Sequence, residues 1–165
     1  MNNADMEGGP TRNDDDDRPS EVRFWGTHGH SIDPKGRVIL PARFREPFRE
    51  GAFVTKLNEG CLGVFTPAGF DRRTNAMLAM AKRGQAERNV ARTWAAGAFD
   101  TTPDGQGRIA IPAPLREYAH LDGEVIVNGA ISHVEIWSAA KWAEIDAEGS
   151  QFLLSGSDLL DDISF

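Results

Sequence analysis

Apolar residues along this chain fall in short runs broken by turn residues, except in one central stretch with a helical period. Val22-Arg23-Phe24-Trp25 predicts a first strand, followed by a turn-rich approach from Gly26 to His30. Arg37-Val38-Ile39-Leu40 is a short β-branched run. Phe53-Val54-Thr55 and Cys61–Phe65 predict strands around the turn Asn58-Glu59-Gly60. Between 68 and 83, Phe70, Met77, Leu78 and Ala81 recur near every 3.6 residues and predict a helix. Residues 86–96 predict a second helix, with Val90 and Trp94 four apart and Gly97 as its stop. Further strands are predicted near 98–101, over 108–111, at Val125-Ile126-Val127 and at Val134–Trp137. Pro41 suits a helix start over 41–49, with Phe44 and Phe48 on one face; Pro47 works against it because it removes a helical hydrogen bond. A matching helix is predicted over 112–119. Ser138 is a candidate cap for a helix holding Trp142 and Ile145.

This order of elements runs twice. DPKGRVILPARFRE (33–46) and DGQGRIAIPAPLRE (104–117) are offset by 71 residues and identical at seven of fourteen positions. Four more pairs exchange one apolar residue for another: Val38/Ile109, Ile39/Ala110, Leu40/Ile111 and Phe44/Leu115. CLGVFTPAGF (61–70) likewise aligns with HVEIWSAAKW (133–142) at an offset of 72. A unit this short cannot bury its apolar face alone, so two copies should share one core. The expected fold is mainly β with short helices. Its expected parts are an acidic extension (1–21), a first repeat (22–66), central helices (67–97), a second repeat (98–147) and an acidic tail (148–165).

The net charge of −7 is unevenly spread. Residues 21–92 carry thirteen Lys and Arg against seven Asp and Glu, a net of +6, whereas 93–142 carry three against six, a net of −3. Residues 1–20 and 143–165 are acidic. A polyanion would therefore meet the first copy. The runs around Asp14–Asp17 and GSQFLLSGSDLLDDISF read as loosely attached, the latter with enough apolar residues for a docking segment. One cysteine permits no intrachain disulfide. With no signal-like or membrane-spanning run, a cytoplasmic protein is the expectation.

Candidate chemistry centres on the two D-x-x-x-R loops. Asp33-Pro34-Lys35-Gly36 and Asp104-Gly105-Gln106-Gly107 are turn sequences, with Asp bonding the following backbone and Gly supplying positive φ. Arg37 has two readings: a fork onto guanine O6 and N7, or an ion pair with Asp33 that fixes the turn. Lys35 is a candidate phosphate contact. Arg108, whose loop has Gln106 in place of Lys35, reads as turn-fixing. Arg43 has Pro114 as its counterpart, so a base unique to the basic copy is a candidate for DNA; His30, three before Asp33, could touch DNA or orient the loop. Arg45 recurs as Arg116 and reads as scaffold. His28 and His30 lack a third ligand for a metal, Cys61 lacks a base partner, and no nucleophile–base constellation is present, so neither cofactor nor enzyme is expected.

From about Phe24 to Trp142 the residues resemble the MraZ family of bacterial transcriptional regulators. The likeness rests on F-x-G (Phe24, Gly26), on His30 and Asp33 before Lys35-Gly36-Arg37, on Pro41-Ala42-Arg43-Phe44-Arg45, on GAFDTTPDGQGRIAIPAPLREYAHLDGEV and on VEIWSAAKW. The resemblance implies a double AbrB-like swapped-hairpin β-barrel. It also implies a ring of identical subunits that binds double-stranded DNA at direct repeats ahead of the cell-division and cell-wall gene cluster, in the cytoplasm at the nucleoid. Met77, Leu78, Met80, Val90 and Trp94 offer more apolar surface than one small sandwich needs, which places part of the subunit boundary on the central helices. The alternative reading is a protein-binding scaffold or inhibitor with incidental DNA binding. A weaker third is an antitoxin, with 149–165 as the toxin-binding tail.

Overall fold

The computed structural model of the chain describes residues 21–156; the acidic run Asp14–Asp17 and the tail beyond 156 lie outside them. The first copy contributes strands β1 (Phe24–Ser31), β2 (Arg37–Ile39), β3 (Ala52–Lys56) and β4 (Leu62–Phe65). Helices α1 (Pro67–Ala81) and α2 (Gln85–Ala96) follow. The second copy repeats the order with β5 (Phe99–Thr101), β6 (Arg108–Ala110), helix α3 (Ala113–Tyr118), β7 (Glu124–Ile131), β8 (Val134–Ser138) and helix α4 (Ala139–Ser155).

The copies exchange strands. All eight residues of β1 pair with β7 of the other copy, from Phe24 opposite Ile131 to Ser31 opposite Glu124. Reciprocally, β5 pairs with β3, Phe53 facing Asp100. β4 and β8 meet in the middle, giving one antiparallel sheet in the order β1-β7-β8-β4-β3-β5. The sheet is open: β1 and β5 are its two edges, and it does not close into the barrel the resemblance implied. β2 and β6 form a separate ribbon in which Val38 faces Ile109. Leu40 N–H donates to Gly107 O (2.8 Å) and Ile111 N–H to Gly36 O (2.9 Å), so each copy's glycine extends the other's strand.

Strand alternation sorts the apolar residues into two layers. Val54, Leu62, Val64, Val125, Val127, Val134 and Ile136 face the ribbon, where they pack with Val38, Ile109, Leu40, Ile111, Phe44, Phe48 and Leu115. On the opposite face Phe65 and Trp137 pack with Phe70, Trp142 and Ile145 of α1 and α4. Thr66 caps α1 by accepting from Gly69 N–H, and Ser138 caps α4 by accepting from Lys141 N–H.

Several elements differ from the sequence expectation. β1 runs through 26–30, predicted as turn, because β7 supplies its ladder partners. The single helix predicted over 41–49 is two 3₁₀ turns, Ala42–Phe44 and Glu46–Phe48; Pro47 has no N–H to continue a helix, yet Phe44 and Phe48 are both buried. β7 extends to Ile131, where a positive φ of 67° turns the chain. Residues 148–155, read as loose tail, continue α4 until Gly156 takes a left-handed conformation (φ 59°).

Gly36 (φ 73°) and Gly107 (φ 78°) occupy left-handed backbone, and a Cβ at either would collide with a guanidinium, that of Arg116 and Arg45 respectively. Arg116 is anchored to Ile111 O (2.6 Å) and Arg45 to Leu40 O (2.8 Å), so neither can step aside freely. Gly36→Ala and Gly107→Ala should each cost about 2 kcal/mol, lowering the melting temperature by roughly 4–8 °C. Gly105→Ala, where a Cβ meets open space, should change it by less than about 2 °C. Thermal denaturation followed by circular dichroism checks this; equal effects at all three positions would contradict it.

Candidate nucleic-acid interface

The two D-x-x-x-R loops are the same hydrogen-bonded object. In the first, Asp33 Oδ1 accepts from Lys35 N–H and Arg37 N–H, both at 2.9 Å, and Asp33 Oδ2 accepts from Arg37 Nε at 2.7 Å. In the second, Asp104 Oδ1 accepts from Gln106 N–H and Arg108 N–H at 2.9 Å, and Oδ2 from Arg108 Nε at 2.7 Å. In both, the Asp N–H donates to the Arg carbonyl and the Gly N–H to the Asp carbonyl. The aspartate thus satisfies the turn's donors and pins the arginine with one group.

The ribbon carries the loops side by side. Val38 and Ile109 point into the core, so Arg37, Ile39, Arg108 and Ala110 take the outward face. Arg37 Nη1 reaches to 4.0 Å from Asp104 Oδ2 across the copy boundary. Asp33, Arg37, Asp104 and Arg108 therefore nearly cancel in charge. What distinguishes the first loop is Lys35: exposed, and without an ion pair among the described residues. Arg37's Nε edge is taken by Asp33 and its Nη1 is drawn toward Asp104, so its Nη1/Nη2 end is shared between that carboxylate and the outward face.

Arg43 is exposed, with its guanidinium 5.8 Å from the Phe44 ring centre and close to Gly26 of β1. His30 is half-buried on β1. Desolvation, then His28 and Arg45, hold its basicity below the ordinary imidazole value, so it is neutral at pH 7 and can offer a hydrogen bond but no charge. Arg45 and Arg116 lie beneath the loops, each against the other copy's glycine. On the central helices Leu78 and Val90 are more than half exposed, Met77 and Met80 are half-buried, and Trp94 stacks on Phe70 (5.2 Å) with its buried Nε1 lacking a hydrogen-bond partner among the described residues. The cross-copy reach of Arg37 to Asp104 escaped the sequence, because it depends on the ribbon register; the alternation of Val38 and Ile109 was the available signal.

Cys61 is buried, and desolvation followed by Glu135 and Glu59 pushes its thiol up to about 12, so it is not a nucleophile. Among the described residues no cluster of three or more His, Cys, Asp or Glu is placed to hold a metal ion, and no helix is long and apolar enough to cross a membrane.

The model of a family described as "MraZ protein, putative antitoxin-like" matches this chain twice, over residues 24–93 and 94–157, one match per copy. The chain belongs to the MraZ family. Proteins named transcriptional regulator MraZ are similar to it over most of their length. That of Frankia casuarinae is 41% identical over 78% of this chain and 91% of its own. That of Thermobifida fusca is 43% identical over 78% and 90%, and that of a Parafrankia species 42% identical over 81% and 98%. The doubled family match and the doubled loop describe one repeat.

The loop aspartates set an acid limit. Hydrogen bonds from the Arg108 N–H and guanidinium and from Gln106 N–H outweigh desolvation and hold Asp104 at about 2. Asp33 is also lowered: desolvation opposes, and the bonds from Arg37 and Lys35 prevail. A folded-state value below the unfolded one, near ~4, gives stability that is present above that pH and lost as pH falls toward about 2. Asp33→Asn with Asp104→Asn should start less stable and lose less between about pH 4 and 2. Urea unfolding across that range checks it; parallel curves for variant and parent would contradict it.

Proposed function

We propose that this chain is a transcriptional regulator of the repressor type. It acts as a ring-shaped homo-oligomer on double-stranded DNA, at direct repeats upstream of the cell-division and cell-wall gene cluster, in the cytoplasm at the nucleoid. The fold behind it is the AbrB-like swapped hairpin in double form. In support of that fold, the first strand of each copy pairs with the third strand of the other. The observation that carries the DNA reading is the asymmetry of two otherwise equal loops: Lys35 in the basic copy where Gln106 stands in the acidic one.

In this reading Lys35 supplies a phosphate contact, Arg37 turns its Nη1/Nη2 end to a base edge, and Arg43 and His30 add flanking contacts. Asp33, Gly36, Asp104, Gly107, Arg108, Arg45 and Arg116 keep the ribbon's shape. One loop presents few charges, so tight binding comes from several subunits engaging repeats in phase. Membership of a family whose similar members are named transcriptional regulators supports the same conclusion. The scaffold alternative draws on the exposed Phe152, Leu153 and Leu154 of α4.

Fluorescence anisotropy with the DNA upstream of the chain's own gene tests this. Lys35→Ala should weaken binding by ~10-fold or more and flatten the salt dependence by about 0.9 in log–log slope for each phosphate no longer neutralised. Gln106→Ala should stay within a few-fold of wild type. Unchanged affinity and slope for Lys35→Ala would contradict the reading.

A further inference from the structure

The internal repeat exposes something the second copy lacks. At the offset of 72, Phe70, Arg73, Met77 and Met80 of α1 correspond to Trp142, Ile145, Gly149 and Phe152 of α4. In α1 this face is covered: α2 folds back on it, and Trp94 stacks on Phe70. In α4 the same stripe begins on the body, with Trp142 and Ile145 packed beside Trp137, and then runs on into solvent. Every residue from Asp146 to Gly156 is exposed, with Phe152 at 50%, Leu153 at 66% and Leu154 at 88%. Among the described residues nothing plays α2's part for α4.

Charge says what fits there. Beyond the Lys141–Glu144 pair (3.0 Å) the helix carries Asp146 and Glu148 and no base, and at 100° per residue these carboxylates flank the apolar stripe on both sides. The α1–α2 hairpin is the opposite, with six bases against Asp71 and Glu87 over residues 67–97. Arg88 and Arg92 of α2 are bonded to the neutral amides of Gln85 and Asn89 and, among the described residues, to no carboxylate, and Leu78 and Val90 stand exposed among these bases. The two surfaces differ in composition and complement each other in sign, as a head-to-tail contact requires.

We infer that the distal half of α4 docks on the basic α1–α2 hairpin of a second copy of this chain, so that the subunit contact is heterologous and propagates around a closed ring. The inference rests on the ring-forming reading above and adds which two surfaces mate. The acidic end of each chain then neutralises its neighbour's basic hairpin, leaving the first-copy loop as the cationic feature that faces DNA.

Two surface variants test it, each verified as folded by circular dichroism. Leu78→Glu with Val90→Glu spoils the hairpin; Phe152→Glu with Leu153→Glu spoils α4. By size exclusion with light scattering, each should be a monomer where wild type is a ring. An equimolar mixture should yield a dimer of one chain of each kind, because one intact hairpin still meets one intact α4. Arg88→Glu with Arg92→Glu should also break the ring, and adding Asp146→Lys with Glu148→Lys should restore it. An α4 variant that still forms rings, its face being met by the chain's own residues 157–165 or left bare, overturns the proposal. So does a mixture that stays monomeric, or a charge reversal without rescue. Wild type that is itself monomeric overturns the ring reading instead.

Discussion

The Arg45 guanidinium lies against Gly107 and the Arg116 guanidinium against Gly36, so each half of the chain braces the turn of the other. The same exchange recurs in the backbone, where Leu40 and Ile111 donate to the opposite glycines, and in the sheet, where β1 and β5 each pair outside their own copy. Neither half has a complete sheet, a complete ribbon or a complete core. Val38 and Ile109, both fully buried and facing each other, belong to different copies. Folding is therefore one event for both halves, and the loops inherit the rigidity of the whole.

That rigidity is what lets a small chemical difference matter. Two loops with the same hydrogen bonds and the same Asp–Arg pairs present different charges outward, because position 35 is Lys and position 106 is Gln. The aspartates neutralise the arginines they orient, so Lys35 is the charge by which the first loop differs from the second. The helices that follow each copy diverge in the same way: α1 is covered by a basic α2, and α4 ends in an acidic, apolar overhang. Duplication built the frame, and divergence gave its two halves opposite electrostatic roles.

The loops, the repeat and the central helices were legible in the sequence because their signals are local: an Asx-type turn, a glycine at positive φ, a 3.6-residue period. Strand exchange was implied only by the family resemblance, since nothing near Phe24 says which strand it pairs with. β1 contains Gly26, His28, Gly29 and His30, a poor strand by propensity, and reads as turn until β7 provides its ladder. The open sheet was equally hidden, because closure depends on edge geometry. The extent of α4 was readable in principle: Trp142, Ile145, Gly149 and Phe152 keep helical spacing, and the small residues Gly149 and Ser150 disguised it. At the candidate site the sequence named Lys35, Arg37 and Arg43 as bases; that Arg37 also approaches Asp104 needed the ribbon.

The interdependence of the halves can be measured directly by producing residues 21–97 and 98–156 separately and recording amide proton–nitrogen correlation spectra. Each fragment alone should show the narrow dispersion of an unfolded monomer. Mixed in equal amounts, they should recover the dispersed spectrum of the intact chain, since only together do they complete the sheet, the ribbon and the reciprocal arginine contacts. A fragment that folds by itself as a monomer would contradict the account.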